Sequence, residues 1–296
     1  MQIIDRIIDQ LRDVSGKPIH SFRLLREKDG VYIYKCLYDG VPAIAKYFAR
    51  DEDKREIHNY RLLTECHVPT IRTFALGASV IVMEDISFCK EWRLGTAEDM
   101  NDAGVARGLA HWYFALHEAG ADVAGLNALY FEYDAITRES LEELCRKLPE
   151  ASELFSFLLE HFDKLRAFIQ KPACTLTYND FYWTNFIVRR DGQAALMFDY
   201  NLLGRGYRYS DFRNVSSLSN EAYQQFVEAY NLLYLRKHGQ ERAIAEQEEK
   251  RIDAVAAPLF DLIAAFRQEQ FPAWADETKR AALDGTLLDT AKRLLI

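Results

Sequence analysis

Asp180 and Asn185 stand five positions apart in Thr177-Tyr178-Asn179-Asp180-Phe181-Tyr182-Trp183-Thr184-Asn185-Phe186-Ile187-Val188. Asp199 follows in Ala195-Leu196-Met197-Phe198-Asp199-Tyr200. The first two fall on a loop between an apolar run ending near Thr177 and another at Phe186–Val188. Asp191-Gly192 is a tight hairpin signal, and a strand over Ala194–Phe198 would deliver Asp199 at its end. Together the three supply one carboxylate able to take a proton from a hydroxyl. They also supply a second carboxylate and an amide oxygen able to hold Mg²⁺. Phosphoryl transfer uses such a set. The structural alternative is an Asx-turn aspartate, a turn asparagine and a strand-end cap.

A second candidate lies upstream. Ala43-Ile44-Ala45-Lys46-Tyr47-Phe48 is apolar around one lysine. A lysine inside an apolar strand is costly unless it is paired or used, and the alternative is an edge-strand lysine reaching solvent. The elements around it read as a run of strands: Ser21–Lys28, Val31–Tyr38 and Val41–Phe48, with turns at Asp29-Gly30 and Asp39-Gly40. Before them, Ile3, Ile4, Ile7, Ile8 and Leu11 give residues 1–13 a helical spacing. After them comes a helix over 51–66, then strands over Ile71–Leu76 and Ser79–Met83. Beyond Ile86 the pattern turns helical. One long helix is expected over Thr96–Gly120, N-capped near Thr96. Others are expected over 137–147 and 151–170. The strand unit at 173–200 and a basic-aromatic loop, Arg205–Arg213, come next. Helices over 220–237, 241–268 and 276–294 close the chain, with Pro258 starting, kinking or splitting the second of these.

The 296 residues are 49% apolar and 28% charged, as in ordinary globular proteins. The start of the chain carries acids too early for a signal peptide, and no apolar run reaches membrane-spanning length. Five scattered cysteines without a metal or redox spacing read as reduced thiols in a cytoplasmic protein. The net charge is −8. Residues 1–90 hold 14 Lys/Arg and 13 Asp/Glu, whereas residues 91–296 hold 23 and 32, so the acid excess is all in the later part. That disfavours nucleic acid as a partner and suits a cationic acceptor, or simply a solvated surface. No Walker, H-E-x-x-H or G-x-S-x-G pattern occurs.

In order and spacing, these residues resemble the aminoglycoside phosphotransferase and choline kinase-like family, which has the protein-kinase fold. Tyr178-Asn179-Asp180 through Asn185 is similar to its H-G-D-x-x-x-x-N loop, and Phe198-Asp199-Tyr200 to its I-D-F. Ala45-Lys46 looks like the strand lysine, and Arg55-Glu56-Ile57-His58-Asn59-Tyr60 like the R-E-x-x-x-Y helix whose glutamate pairs with it. Val82-Met83-Glu84-Asp85-Ile86 looks like the connector between lobes, Leu116-His117 like the L-H of the first large-lobe helix, and Asp211 like a further aspartate that braces the loop. The resemblance spans roughly residues 20–215. It departs at Tyr178 for histidine, Asn179 for glycine and Tyr182-Trp183-Thr184 for H-P-G, and no glycine-rich phosphate cradle is legible around Gly30.

The resemblance implies an α+β, bilobal protein-kinase-like fold. Residues 1–86 would be a nucleotide-binding lobe, a small antiparallel sheet plus one helix. Residues 87–296 would be a large, mainly helical catalytic and acceptor-binding lobe. It implies Asp180 as catalytic base, Asn185 and Asp199 as Mg²⁺ ligands, Lys46 oriented by Glu56 on the nucleotide phosphates, and Glu84 and Ile86 on the base through their backbones. The expected activity is ATP/Mg²⁺-dependent transfer of a phosphoryl group to a hydroxyl of a small, amine-bearing molecule, aminoglycoside-like or an amino alcohol, with GTP left open as donor. Tyr182 and Trp183 would either stack on that acceptor or pack the loop. The alternative is an inactive nucleotide-binding or scaffold member of the same fold. The oligomeric state is open.

Overall fold

The computed structural model describes residues 3–239 and 243–296. In chain order α1 (Ile3–Ser15) precedes β1 (Ile19–Lys28), β2 (Val31–Tyr38) and β3 (Val41–Phe48). A 3₁₀ turn at Asp51–Lys54 leads into α2 (Arg55–Glu65), followed by β4 (Thr73–Leu76) and β5 (Val80–Glu84). These strands make one antiparallel sheet in the order β1-β2-β3-β5-β4. Both hairpins turn where expected: Asp29, Gly30, Asp39 and Gly40 all have positive φ, the backbone that two-residue hairpin turns demand. Alternation then sorts the side chains by face. Ala43, Ala45 and Tyr47 of β3 join Tyr34, Cys36 and Tyr38 of β2 in a core with Ile7 and Leu11 of α1. Lys46, between them, is turned to the opposite face.

After the sheet come a 3₁₀ turn at Ile86–Phe88, a short strand β6 (Trp92–Leu94), and α3 (Ala103–Ala119). The expected helix start at Thr96 is corrected. Thr96 caps only a 3₁₀ turn over Ala97–Asn101; Asp102 is extended, and its side chain accepts from Val105 N to begin α3. The helix expected over 151–170 is two, α5 (Ser152–Glu160) and α6 (Phe162–Gln170), after α4 (Arg138–Lys147) and broken at His161.

The strand unit also divides. β7 (Thr175–Thr177) pairs with β10 (Gly204–Gly206), whereas β8 (Phe186–Arg189) and β9 (Ala195–Met197) form a three-stranded sheet with β6. The stretch expected as a basic-aromatic loop is therefore β10 followed by α7 (Arg208–Val215). Then come α8 (Asn220–His238), α9 (Ala243–Ala265), α10 (Asp276–Leu283) and α11 (Thr286–Leu295). Pro258 sits inside α9. Gly285, with φ +88, divides the last expected helix into α10 and α11. Residues 1–2 and 241–242, which were included in expected helices, lie outside the described residues.

The chain groups into two compact units. The first holds the chain up to Ala124 with Tyr178–Leu203 and Arg213–Gly239. In it α3 packs on α8 and on β9. A Cβ on Gly108 would lie 2.5 Å from Ala195 N, which real contacts do not allow. Because β9 leads into Asp199, that glycine sets the height of the strand. Gly108→Ala is expected to cost about 2–3 kcal/mol of stability in urea unfolding; an unchanged midpoint and slope would show that the contact is not binding. The second unit holds Gly125–Thr177, Gly204–Phe212 and the chain beyond Gly239. Its core gathers Leu141, Phe155, Leu165, Tyr207, Leu259 and Ala291, all fully buried, from α4, α5, α6, α9, α11 and the segment after β10.

Candidate active site

Pairing across the first sheet places Ile33 of β2 opposite Lys46 of β3. Lys46 is 9% exposed and Glu56 of α2 only 1%. The ammonium Nζ lies 2.6 Å from Glu56 Oε2 and 2.9 Å from Asp199 Oδ1. Burial pulls the pKa of this lysine down, but Glu56 and Asp199 outweigh it and leave its pKa above the ordinary value. Burial is also the largest influence on Glu56 and pushes its carboxyl up, against the pull of Lys46. The second oxygen of Glu56, Oε1, is buried without a hydrogen-bond partner.

Asp199 is held by its neighbours. Its own φ is +64, a left-handed conformation that aspartate tolerates better than most residues. Tyr178 donates its hydroxyl to the carbonyls of Phe198 at 2.5 Å and Asp199 at 3.3 Å. Asn59 of α2 donates Nδ2 to the carbonyls of Tyr200 at 2.7 Å and Leu203 at 3.3 Å. The Tyr200 ring packs edge-on against Tyr60 at 4.7 Å and Tyr178 at 6.1 Å, and is stacked with Trp112 at 6.3 Å. Tyr178 thus ties the Asp180 loop to the Asp199 turn through a hydroxyl. Tyr178→Phe is expected to cost about 1 kcal/mol by the loss of that donor, read in urea unfolding; a variant as stable as the parent would mean the hydroxyl holds nothing.

Asn185 donates Nδ2 to Asp180 Oδ2 at 2.9 Å and to the Asp180 carbonyl at 3.1 Å. Burial first, and the charge of Asp199 second, raise the Asp180 carboxyl to a pKa of about 6, against the hydrogen bond from Asn185 and the charge of Lys46. Asn179 has φ +66 and donates Nδ2 to the Leu202 carbonyl at 3.1 Å. That backbone explains how asparagine stands where the resembling family has glycine. Asp211 lies fully buried in α7. Tyr182 is 53% exposed, its ring 5.7 Å from Trp183.

Two cavities share Ile33, Lys46, Glu56 and Asp199. One, of about 240 Å³, is apolar, with Leu25, Ile44, Met83, Phe198, Glu84 and Ile86 among its lining residues. The other, of about 300 Å³, is polar and includes Arg26, Lys28, Arg50, Asp53 and Asn201. The sequence-predicted residues Lys46, Glu56, Asp199, Glu84 and Ile86 therefore lie along one cleft. Asp180 and Asn185 line neither cavity; the charges of Asp199 and Lys46 act on the Asp180 carboxyl.

Sequence reasoning missed Arg26, Lys28, Asn59 and the contacts of Lys35 with Asp85 and Ser87. That lysine lies 2.9 Å from Asp85 and donates to Ser87 Oγ at 2.9 Å. Its place on the Lys46 face was readable from alternation, since Lys35 pairs with Ile44.

The donor set suits a hard cation. Asn185 gives its amide nitrogen to Asp180, and among the described residues its Oδ1 meets the Thr184 hydroxyl at 3.2 Å; Asp199, on the cleft, offers a carboxylate. Two protein oxygens, with phosphate and water completing the shell, are what Mg²⁺ takes beside a nucleotide.

No family profile matches the sequence, and no curated protein sequence is similar to it. Solved structures are similar in fold. APH(2″)-IIa, in a ternary complex with streptomycin and ATP, shares 17% identity at a TM-score of 0.52, over 100% of this chain and 97% of that one. Spectinomycin phosphotransferase APH(9)-Ia, bound to ADP and spectinomycin, shares 14% at 0.55, over 98% of each chain. A choline/ethanolamine kinase family protein of Mesorhizobium loti shares 14% at 0.57, over 99% and 95%. The chain has the protein-kinase-like fold of these phosphotransferases, with the antiparallel five-stranded sheet and mainly helical remainder that its sequence led us to expect.

Proposed function

We propose that the chain is an ATP- and Mg²⁺-dependent phosphotransferase, with GTP as the alternative donor. It moves the γ-phosphoryl group to a hydroxyl of a small, amine-bearing molecule. The observation that carries this reading is Lys46, a buried cation held by Glu56 and Asp199 where an apolar cavity meets a charged one. The apolar cavity suits a purine, bounded by Glu84 and Ile86, and the charged one its phosphates. Lys46 would steady those phosphates, with Glu56 fixing its direction. Asn185 and Asp199 would hold Mg²⁺, which when bound neutralises charge on the phosphate oxygens.

Asp180 would take the acceptor's proton. A carboxyl raised to about 6 is a better base near neutral pH than an ordinary aspartate, yet is still ionised there. Residues 1–86 would serve as the nucleotide lobe, and residues 87–296 as the catalytic and acceptor lobe. The similar structures with ATP and ADP support the donor. Streptomycin, spectinomycin and the choline/ethanolamine class support an amine-bearing acceptor, as does the acid excess beyond residue 90. No described helix is long and apolar enough to cross a membrane, and the scattered free thiols fit a cytoplasmic setting.

The test is Mg²⁺-dependent ATP consumption against a panel of aminoglycosides, amino alcohols, amines and sugars. Turnover with an amine-bearing class supports the reading, and turnover only with neutral sugars overturns the acceptor assignment. Nucleotide binding with silence throughout would favour the scaffold alternative.

A further inference from the structure

The β1–β2 turn contains one glycine, Gly30, and so lacks the backbone cradle that glycine-rich loops offer phosphates. The register of the sheet shows what stands there instead. Arg26 of β1 is opposite Ile33 of β2, which is opposite Lys46 of β3. Lys28 is opposite Val31, which is opposite Phe48. Residues directly opposite across a sheet point to the same face. Arg26 and Lys28 thus share the face of Lys46, and all six of these residues line the charged cavity.

They reach that face through an irregularity. Leu24 pairs with Tyr34, whose ring is in the core with α1. Uninterrupted alternation would send Arg26 to that same side. The register shifts between Leu24 and Arg26, so Leu25 is an extra residue in the strand. Such a bulge re-aims side chains. Here Leu25 lines the apolar cavity and Arg26 the charged one.

The two cations are not committed elsewhere. Among the described residues Arg26 has no ion-pair or side-chain hydrogen-bond partner, and Lys28 has only Asp29, at 3.9 Å and two-thirds exposed on both sides. Arg50, in the same cavity, is engaged: its Nε is 2.9 Å from Asp53 Oδ2 and its NH1 3.2 Å from Glu52. Its stem lies under Gly30, where a Cβ would be 3.3 Å from its Cγ. It props the turn.

We propose that Arg26 and Lys28, turned into the cleft by the β1 bulge, are ligands of the nucleotide's phosphate chain and make the site select for polyphosphate. This rests on the phosphotransferase reading. Guanidinium and ammonium groups bind phosphate oxygens by charge-assisted hydrogen bonds whose strength grows with ligand charge.

The experiment is calorimetric titration of ATP, ADP and AMP, each with Mg²⁺, into the full chain and into Arg26→Gln/Lys28→Gln. Thermal melting would confirm that the variant is folded. The double variant is expected to lose about tenfold or more in affinity for ATP, less for ADP and little for AMP, with a shallower dependence on salt. Arg26→Lys/Lys28→Arg should restore most of the ATP affinity. ATP affinity unchanged in the folded double variant overturns this inference and leaves the phosphotransferase reading intact. Equal losses for ATP and AMP also overturn it, since they would show that the strand only roofs the base. A parent chain that binds none of the three removes both.

Discussion

Asp180→Asn is expected to lower kcat by about 10²–10⁴-fold, to leave the Kd for Mg-ATP within about twofold, and to make the protein more stable at neutral pH. The third outcome follows from the sign of the pKa. In the folded chain the Asp180 carboxyl is raised to about 6, first by burial and second by Asp199, whereas in the unfolded chain it titrates near the ordinary value. A raised carboxyl binds its proton more tightly when folded, so stability falls as pH rises through the window from about 4 to 6. Above that window the ionised group is a standing cost. Asparagine keeps the shape without the charge, and we expect a gain of about 1–2 kcal/mol at pH 7.5, discounted for the solvent that reaches the side chain. The gain should vanish near pH 4. The acid limb of kcat/KM in the parent should lie above the ordinary aspartate range, because burial, the larger cause of the shift, persists when Mg²⁺ offsets the charge of Asp199. If the variant loses ATP binding in parallel with turnover, Asp180 is not the base; if its stability gain is the same at pH 4, the raised carboxyl is not the cause.

Lys46→Met is expected to be the most destabilising single change in the cleft. It leaves Glu56 buried, with neither oxygen paired to a cation, and removes the charge that faces Asp199. Breaking one side of a buried ion pair typically costs about 3–5 kcal/mol. Adding Glu56→Gln should recover a good part of that loss in urea unfolding, because an amide needs no counter-charge, yet it should recover no activity. A Lys46→Met protein as stable as the parent would mean that water or rearrangement already satisfies Glu56. Recovery of activity by the second change would remove Lys46 from the phosphate site. The two halves of the experiment separate what the lysine does for folding from what it does for a nucleotide.

What the sequence showed and hid follows the range of the forces involved. Val31–Tyr38 and Val41–Phe48 were legible to the residue, because Asp-Gly turns and alternating burial are local signals. The segment around Lys46 could be placed for the same reason. The bulge at Leu25 was not legible. Nothing in Leu24-Leu25-Arg26 marks which residue drops out of the ladder; only its pairing with Tyr34 and Ile33 decides. The turn over Ala97–Asn101 was hidden differently, since Thr96 and Asp102 are both good caps and the sequence does not say which begins the longer helix. β10 was missed because Gly204-Arg205-Gly206 has no strand propensity of its own and is a strand through β7. A Cβ on Gly204 would lie 2.1 Å from the Tyr130 carbonyl, a constraint that only three dimensions reveal. Within the candidate site, Lys46, Asp180, Asn185 and Asp199 stood out by residue type and order, and Glu56 came from the resemblance. Asn59, Lys35, Arg26 and Lys28 came from contacts and register.

Helix α2 carries two obligations from neighbouring turns. Glu56 holds Lys46, and one turn later Asn59 holds the backbone just after Asp199. Rotating or withdrawing the helix would break both ties together, exposing a buried carboxylate and freeing the Asp199 turn. Any movement of this helix would therefore carry the cost of both ties at once.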